Sequence, residues 1–216
     1  SLRLTPTHPA NVAAMSGLAI VTGGARGIGA AIAAALLADG EIDEVAAFDL
    51  DIAGAQAPAG VTLHQCDVTN VEQVRDVVAS LGRHATVLVN NAGGGKHRPE
   101  RTDNKPGDPF GPVDLFRESV DLYLTSAHIV TSVVGPNMAS GSAICNTASI
   151  AGLMPNAMMA YGAAKAGLIH WTECMALSLA PRGIRVNAVC PGLIETPLTA
   201  GGLQAPLIRE IWCANI

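Results

Sequence analysis

The chain has 216 residues, of which 49% are hydrophobic and 14% charged, and its formal net charge at pH 7 is −5. This length and composition predict a globular protein with a sizeable core and exclude a disordered chain. Because acidic residues outnumber basic ones and no basic tract occurs, neither nucleic acid nor an anionic membrane surface is expected as a partner.

The sequence contains little that would indicate a targeting segment, a metal site or a disulfide framework. No apolar run approaches the ~18 residues of a membrane span, and residues 1–16 lack the apolar centre of a signal peptide. We expect 1–16 to be an N-terminal tail and 17–216 to be one domain. The five cysteines are scattered without C-x-x-C spacing, and the six histidines form no ligand set. These features predict a reduced, cytoplasmic protein without a metal site.

Strand-like and helix-like segments alternate along the chain. Strands are predicted at 18–22, 44–50, 61–65, 86–90, 142–148 and 184–189. Helices are predicted at 28–39, 69–81, 114–134 and 158–180, with a further short helix at 206–213. The second helix is expected to begin with a T-x-x-E capping box formed by Thr69 and Glu72. This alternation predicts a Rossmann-like, doubly wound parallel sheet in a three-layer α/β/α arrangement.

Two segments interrupt the alternation. Residues 51–60 are either a weak helix or a connection. Residues 93–112 are rich in glycine and proline and carry much of the local charge. A connection of this length is usually a functional or mobile loop, so we expect it to contribute to a binding site.

A glycine-rich turn follows the first predicted strand, where residues 22–29 read TGGARGIG. Glycines allow a tight turn and let the backbone approach a pyrophosphate. The N-terminus of the following helix supplies unpaired N–H groups and the positive end of the helix dipole. An ordinary strand-to-helix turn is the alternative, but the strand–turn–helix placement favours dinucleotide binding.

Asp49 ends the second predicted strand, about 20 residues after the glycines. An acid at this position hydrogen-bonds the ribose hydroxyls of adenosine and repels a 2′-phosphate, which favours NAD over NADP. Arg26 in the glycine turn could pair with a 2′-phosphate and so favours NADP. We give Asp49 more weight, because burying a phosphate beside its carboxylate costs more free energy than an exposed Arg recovers by pairing with that phosphate. Asp51 is a less favoured substitute, and a solvated strand end is the alternative.

The stretch 146–165 places a hydroxyl, a phenol and an ammonium close together in sequence, at Ser149, Tyr161 and Lys165. Tyr161 and Lys165 are four residues apart and share one face of the predicted helix. An ammonium near a phenol favours the phenolate, which can then exchange a proton near neutral pH. Chance spacing is the alternative for this pair taken alone.

Together these motifs resemble those of the classical short-chain dehydrogenase/reductase family. The residues that carry the resemblance are TGGARGIG, the pair Asp67–Val68, the N-N-A-G of 90–93, Ser149, Tyr161 and Lys165, and the P-G-x-x-x-T of 191–196. They occur in the family's order across residues 18–197.

The resemblance implies an NAD-dependent oxidoreductase that interconverts a secondary alcohol and a ketone. Tyr161 would take the alcohol proton while hydride passes to NAD, Lys165 would assist the phenol and hold the nicotinamide ribose, and Ser149 would orient the substrate oxygen. For Asn91 in the N-N-A-G segment, the alternative is a structural turn in which its side chain braces neighbouring strands. The residues expected to bind the cofactor are Gly23, Arg26, Gly27, Ile28, Gly29, Asp49, Leu50, Asp67, Val68, Asn90, Ala92, Gly93, Tyr161, Lys165, Pro191, Gly192, Ile194 and Thr196.

The chain departs from the family in two places. Aligned on S-V-D-L-Y-L, the Asn that completes a water-linked proton relay in the family corresponds to Asp121. Asp121 is either a catalytic residue that slows the relay by opposing Lys165, or a solvated carboxylate in a wrong alignment. In addition, residues 201–216 supply only a short substrate-lid stub. Either the sheet lacks its last edge strand or the sequence is part of a longer chain.

The helices at 114–134 and 158–180 bear on partners. Between Met158 and Ala180 the only charged residues are Lys165 and Glu173. A helix that is apolar all round needs cover on more than one side, which favours a homodimer or homotetramer, with burial by the chain's own loops as the alternative.

Two other functions remain open at this point. One is a nucleotide-binding sensor or scaffold with little turnover, and the other is an NADP-dependent carbonyl reductase. The substrate is a small alcohol or ketone, and the apolar Leu153, Met154, Met158 and Met159 either favour a hydrophobic one or are packing residues.

Overall fold

A computed structural model of the chain describes residues 17–94, 111–156, 158–197 and 199–200. The predicted N-terminal tail, most of the predicted 93–112 loop and the helix predicted at 206–213 lie outside the described residues. Residues 201–216, on which the prediction of a missing edge strand depends, also lie outside the described residues.

Six strands and five helices alternate in the described residues. The strands are β1 (Gly17–Thr22), β2 (Ile42–Asp49), β3 (Val61–Gln65), β4 (Val87–Asn90), β5 (Ala143–Thr147) and β6 (Arg185–Val189). The helices are α1 (Gly27–Asp39), α2 (Val71–Ser80), α3 (Val113–Val120), α4 (Ser126–Val134) and α5 (Met159–Leu179). A π-helical turn at Asp121–Thr125 joins α3 to α4, so the helix predicted at 114–134 is continuous but locally widened.

The strands form one parallel sheet in the order β3-β2-β1-β4-β5-β6. Successive side chains of β1 point to opposite faces, as the strand period requires. Leu18 and Ile20 pack in a core with α2, α4 and α5, whereas Ala19 and Val21 pack against α1. Helices on both faces of a parallel sheet confirm the predicted three-layer, Rossmann-like fold.

The local prediction at the start of α2 is wrong. The N-cap is Asn70, whose side-chain oxygen accepts hydrogen bonds from the backbone N–H groups of Glu72 and Gln73 at 3.1 and 3.2 Å. Thr69 instead donates its hydroxyl hydrogen to Asp67 at 2.6 Å. Asn is as strong an N-cap as Thr or stronger, so adjacent polar residues compete for this position and sequence spacing alone does not decide between them. Residues 51–60 are a connection without a helix.

None of the helices in the described ranges combines the length and apolar character that crossing a membrane requires.

Candidate active site

The predicted site residues gather at one edge of the sheet, where the parallel strands have their carboxyl ends. Asp49 ends β2, Asn90 ends β4, Ser149 follows β5 by two residues, and Pro191 follows β6 by two. Ligands of open α/β sheets bind outside this edge, next to the point where the strand order reverses. In this sheet that point lies between β1 and β4.

The glycine turn after β1 is packed too closely for side chains. Gly23 has a φ of +63°, and a Cβ at this position would lie 2.9 Å from the Cα of Ala92. A Cβ on Gly29 would overlap the carbonyl oxygen of Gly23. Only glycine therefore lets the turn lie against both α1 and the segment after β4.

The segment after β4 is fastened to this turn by hydrogen bonds. The Thr22 hydroxyl oxygen accepts from the backbone N–H groups of Asn91 and Ala92, both at 2.9 Å. The Asn91 side-chain amide donates to the carbonyl oxygen of Thr22 at 3.1 Å. Asn91 therefore has the bracing contacts of the structural alternative.

The N-terminus of α1 is open to an anion. Its N-cap, Arg26, is extended and makes no capping hydrogen bond, and the first turn contains no acidic residue. Unpaired N–H groups and the positive end of the dipole are therefore presented beside the glycine turn. Gly27 and Ile28 in this first turn also line a cavity. This arrangement fits the pyrophosphate of a dinucleotide.

The carboxylate of Asp49 faces the glycine turn. One of its oxygens accepts from the Ala25 N–H at 3.1 Å, and the other accepts from the Asp51 N–H at 3.4 Å. Arg26 donates to the carbonyl oxygen of Asp51 at 2.6 Å, so its guanidinium is held over the residues that follow β2. Leu50 between the two acids is exposed. The predicted acid and the competing Arg are thus brought to the same corner of the site.

After β3, the Asp67 carboxylate is bound within its own turn. One oxygen accepts from the backbone N–H of Thr69 at 2.9 Å, and the Asp67 N–H donates to the Gln73 side chain at 2.9 Å. Val68 next to it is buried. These contacts fix the backbone of the predicted adenine-side pair.

A buried polar chain crosses β4 and β5 beneath the strand ends. The Asn90 amide donates to Asn146 at 2.8 Å and to Thr131 at 3.0 Å, and Asn146 donates to Thr172 on α5 at 2.8 Å. The Asn90 oxygen and the Thr147 hydroxyl are buried without a hydrogen-bond partner. Such orphaned atoms point to a missing partner, such as a water or a ligand, at this edge.

Ser149 is the N-cap of a short helical turn, Ile150–Gly152, that packs directly on α5. Its hydroxyl oxygen accepts from the Ala151 N–H at 3.1 Å, and the side chain is largely buried. A Cβ on Gly152 would lie 2.7 Å from the backbone of Lys165, and one on Gly162 would lie 2.9 Å from the carbonyl oxygen of Ala151. These two glycines allow the turn to approach the stretch of α5 that carries Tyr161 and Lys165.

Lys165 is buried and has little to offset its charge. Only 5% of the residue is exposed, and its Nζ donates to the carbonyl oxygen of Thr147 at 2.5 Å. Loss of hydration lowers the pKa of Lys165 to about 8, while the nearby Cys190 thiol raises it by a smaller amount. The bond to Thr147 ties α5 to the strand end that leads to Ser149.

The predicted role of Asp121 is not supported, because the residue that contacts the site is Tyr123. Asp121 is exposed, whereas Tyr123 is 6% exposed. The Tyr123 ring meets the Tyr161 ring edge-to-face with centroids 4.8 Å apart, and the Lys165 Nζ lies 5.2 Å from the Tyr123 centroid. Residues two apart point to nearly opposite sides of a helix, so an alignment error of two exchanges a buried side chain for a solvated one. The sequence contained one signal that could have drawn attention to Tyr123, because it is one of only two tyrosines in the chain.

The segment after β6 closes the site opposite α1. A cavity of about 500 Å³ lies between this segment and α1. It is lined by Pro191, Ile194, Thr196 and their neighbours together with Gly27 and Ile28. Gly192 continues the same segment, whose Pro191 carbonyl accepts from the Ile150 N–H at 3.1 Å. A second cavity, of about 330 Å³ beside His84 and Arg75, contains none of the predicted site residues.

Known proteins share both the sequence pattern and the fold. A family model described as short chain dehydrogenase matches residues 17–205. The chain belongs to the short-chain dehydrogenase family. An uncharacterised short-chain type dehydrogenase/reductase of Sinorhizobium fredii is 35% identical over an alignment of 205 positions, which covers 88% of this chain and 36% of that protein. The chain thus spans about a third of that relative's length.

Two further relatives of this short-chain dehydrogenase match over most of both chains. The 15-hydroxyprostaglandin dehydrogenase (NAD(+)) of Mus musculus is 36% identical, and the match covers 84% of this chain and 68% of that enzyme. A solved structure of a short-chain dehydrogenase/reductase from Burkholderia xenovorans has a TM-score of 0.79 and 30% identity, covering 95% of this chain and 84% of that one. The predicted family is confirmed, and with it an oxidoreductase that uses a nicotinamide dinucleotide.

Proposed function

We propose that this short-chain dehydrogenase interconverts a secondary alcohol and a ketone with NAD, using Tyr161 as the general acid and base. The pairing on α5 carries the proposal. Tyr161 and the buried Lys165 lie one helical turn apart, on the stretch against which the Ser149 turn packs. A phenol with an adjacent ammonium, and a hydroxyl to orient the substrate oxygen, are the groups that alcohol oxidation requires.

Each of these residues has a distinct part in the reaction. In the oxidative direction the Tyr161 oxygen accepts the proton of the substrate hydroxyl, and Ser149 donates a hydrogen bond that orients the substrate oxygen. The nicotinamide, when bound, supplies the acceptor for the hydride that leaves the substrate carbon. Lys165 places a positive charge beside the phenol while the proton is exchanged, and it stays mostly protonated at pH 7 because its pKa is about 8.

The remaining predicted residues would hold the dinucleotide along the strand ends. The glycine turn and the open N-terminus of α1 would bind the pyrophosphate, and Asp49 the adenosine ribose. The other contacts would come from Leu50, Asp67 and Val68 at the adenine, from Asn90, Ala92 and Gly93 along the cleft, and from Pro191, Gly192, Ile194 and Thr196 at the nicotinamide.

The fixed carboxylate of Asp49 supports NAD over NADP. Because its oxygens already accept from Ala25 and Asp51, the negative charge is held where a 2′-phosphate would otherwise approach. The related mouse enzyme carries NAD(+) in its name. Comparison of kcat/KM with NADH and NADPH checks this assignment. A preference for NADPH would mean that Arg26 outweighs the acid.

Apolar side chains next to the Ser149 turn support a hydrophobic substrate. Leu153, Met154 and Met159 are 62%, 50% and 44% exposed. Exposure of this extent argues against the alternative that they are packing residues. An apolar rim of this kind would be covered by the non-reacting part of a substrate.

The variant Tyr161→Phe tests the proposed reaction. Phenylalanine has no transferable proton, so turnover should fall by about 10²- to 10⁴-fold. Affinity for NADH, measured by fluorescence titration, should stay close to that of the wild type, because the ring is retained. Full turnover in Tyr161→Phe would overturn the assignment of this residue.

A sensor or scaffold with little turnover is the competing function. An acid at position 121 near the site would favour it, because its charge would oppose that of Lys165, but the Asp121 side chain is exposed. Calorimetric binding of NADH, together with no turnover over a broad panel of alcohols and ketones, would favour the competing function.

A further inference from the structure

Tyr123 makes contacts that its neighbours in the helix do not make. Its ring lies edge-to-face against Tyr161, and the Lys165 Nζ lies within 6 Å of both aromatic centroids, at 5.2 Å from Tyr123 and 5.9 Å from Tyr161. An ammonium at this range is attracted by the negative face of an aromatic ring. The two tyrosines of the chain thus flank its one buried lysine in the described residues.

The backbone around Tyr123 is shaped to admit the ring. Tyr123 is the central residue of the π-helical turn Asp121–Thr125, and turns of this kind occur frequently at functional sites. On the other side, a Cβ on Gly93 would lie 2.7 Å from Cε1 of the Tyr123 ring. The glycine that ends the N-N-A-G segment therefore leaves room for the ring, which is held between β4 and α5.

No carboxylate of the described residues forms an ion pair with Lys165. Three ionisable groups face it in the described part of the chain: Tyr161 on its own helix, Tyr123 on the π-helical turn, and Cys190 after β6. The Thr147 carbonyl accepts its hydrogen bond. A buried ammonium without a counter-ion depends on such weaker contacts, which makes each of them larger in effect than at a surface.

We propose that the ring of Tyr123 is a positioning residue that stabilises the Lys165 ammonium and holds it against Tyr161. The inference rests on the proposed function and deepens it, because it explains what holds the assisting cation in place when no described carboxylate pairs with it. The aromatic face does the positioning, and the Tyr123 hydroxyl is not required for it.

Two substitutions at Tyr123 separate the ring from the hydroxyl. Tyr123→Phe keeps the ring, and Tyr123→Leu replaces it with an apolar side chain that has no aromatic face. The chain has three lysines, Lys96, Lys105 and Lys165. Carbon-13 labelling of lysine side chains therefore gives a simple NMR titration, in which Lys165→Met identifies the Lys165 signal. This readout needs neither substrate nor turnover.

The two variants should behave differently. In Tyr123→Phe the titration midpoint of Lys165 should match that of the wild type. In Tyr123→Leu the midpoint should fall by about half a pH unit or more, because the protonated amine of Lys165 loses its attraction to the aromatic face. The kcat should fall about tenfold, while the Kd for NADH changes little. Tyr123→Met, which also lacks the ring, serves the same purpose if Tyr123→Leu does not fold.

Either of two results would overturn the inference. If Tyr123→Leu and Tyr123→Met titrate as the wild type does, the ring is only a packing residue. If Tyr123→Phe shifts the lysine midpoint as far as Tyr123→Leu does, the hydroxyl carries the effect. Failure of the Tyr161 mechanism is recognised separately, by turnover in Tyr161→Phe, because the lysine titration does not depend on it.

Discussion

Lys165 takes its charge into the interior, and this has a cost for stability. Its pKa is about 8 in the folded chain, against an ordinary value of 10.5. Below pH 8 folding must bury the charged form, so the native state is penalised there. Between pH 8 and 10.5 the unfolded chain binds a proton that the folded chain does not, so the free energy of unfolding rises with pH.

We therefore predict that Lys165→Met stabilises the apo protein at neutral pH. The free energy of unfolding should increase by about 1 to 3 kcal/mol at pH 7, after allowance for the lost hydrogen bond to Thr147. The gain should shrink as the pH rises from 8 towards 10.5. Urea denaturation of both proteins across this range measures the difference.

Arg75→Met is a matched control for this series, because Arg75 is an exposed cation on α2. Its effect on stability should be small and nearly independent of pH. A Lys165→Met protein that is less stable than the wild type at pH 7 would show that burial of the ammonium is well compensated. A Lys165→Met variant that is more stable but inactive would indicate that Lys165 serves function at a cost in stability.

Tyr123 shows why part of the site escaped prediction from the sequence. Ser149, Tyr161 and Lys165 could be named because their spacing follows directly from helix and strand geometry. The position of Tyr123 depends on how α3 and α4 are joined. The extra width of a π-helical turn rotates the residues after it, and no local residue pattern announces such a turn. Asp121 and Tyr123 differ by two positions, which is enough to move a side chain from solvent to the site.

At the level of elements, the Ser149 turn docks on α5 and would thereby align the proposed reacting groups. Gly152 contacts the α5 backbone at Lys165, and the turn has no space for a side chain there. The contact joins two consecutive elements, the turn at Ile150–Gly152 and α5, which are not linked by the hydrogen bonds of a sheet. Small displacements at this contact therefore change the distance between the Ser149 hydroxyl and the Tyr161 phenol.

Gly152→Ala is predicted to impair catalysis more than stability. The new Cβ would lie 2.7 Å from the α5 backbone, so the turn must shift away from α5. A misplacement of about 1 Å costs up to about 10² in kcat, whereas the overpacking costs about 1 to 3 kcal/mol. Steady-state kinetics and urea denaturation report the two effects separately.

Gly135→Ala provides the comparison for that variant. Its Cβ would meet nothing closer than a Thr131 methyl at 3.8 Å, and its φ of −57° suits any residue. We expect wild-type kcat and nearly unchanged stability. If Gly152→Ala retains the kcat of the wild type as well, the Ser149 turn is not held by its contact with α5.

At the scale of the whole molecule, the parallel sheet converts distant sequence motifs into one site. The strand order β3-β2-β1-β4-β5-β6 places the glycine turn next to the end of β4, and the end of β5 beyond it. Alternation of strands and helices was sufficient to predict this architecture, because parallel strands need helical crossovers and those crossovers have a fixed hand. The sequence pattern could not indicate which side chains of α5 stay uncovered, since that depends on the packing of every other element.

The outer face of α5 carries the last prediction, that of association between copies of the chain. Along this helix Ala163, Ala166, His170, Cys174 and Leu177 are exposed at intervals of three or four residues. Leu177 is 79% exposed. Exposed Glu173 lies beside this stripe, with its carboxylate 3.5 Å from the His170 ring. A mainly apolar stripe of this length on a helix favours contact with a second helix, and small residues let the two approach closely. We therefore expect a homodimer or homotetramer in which this face is buried.

Leu177→Glu should weaken that association, because a carboxylate placed in an apolar interface must be desolvated without a partner. Sedimentation velocity over a range of concentrations should show the wild type as an oligomer and should show at least a tenfold higher dissociation constant for Leu177→Glu, which corresponds to about 1.4 kcal/mol. Leu177→Met keeps the apolar surface and should associate normally. A monomeric wild type, or equal association of Leu177→Glu, would mean that the α5 face is covered in another way. Leu177 lies three turns from Lys165 along α5, so the kcat of the dissociated variant also measures whether one copy suffices for catalysis.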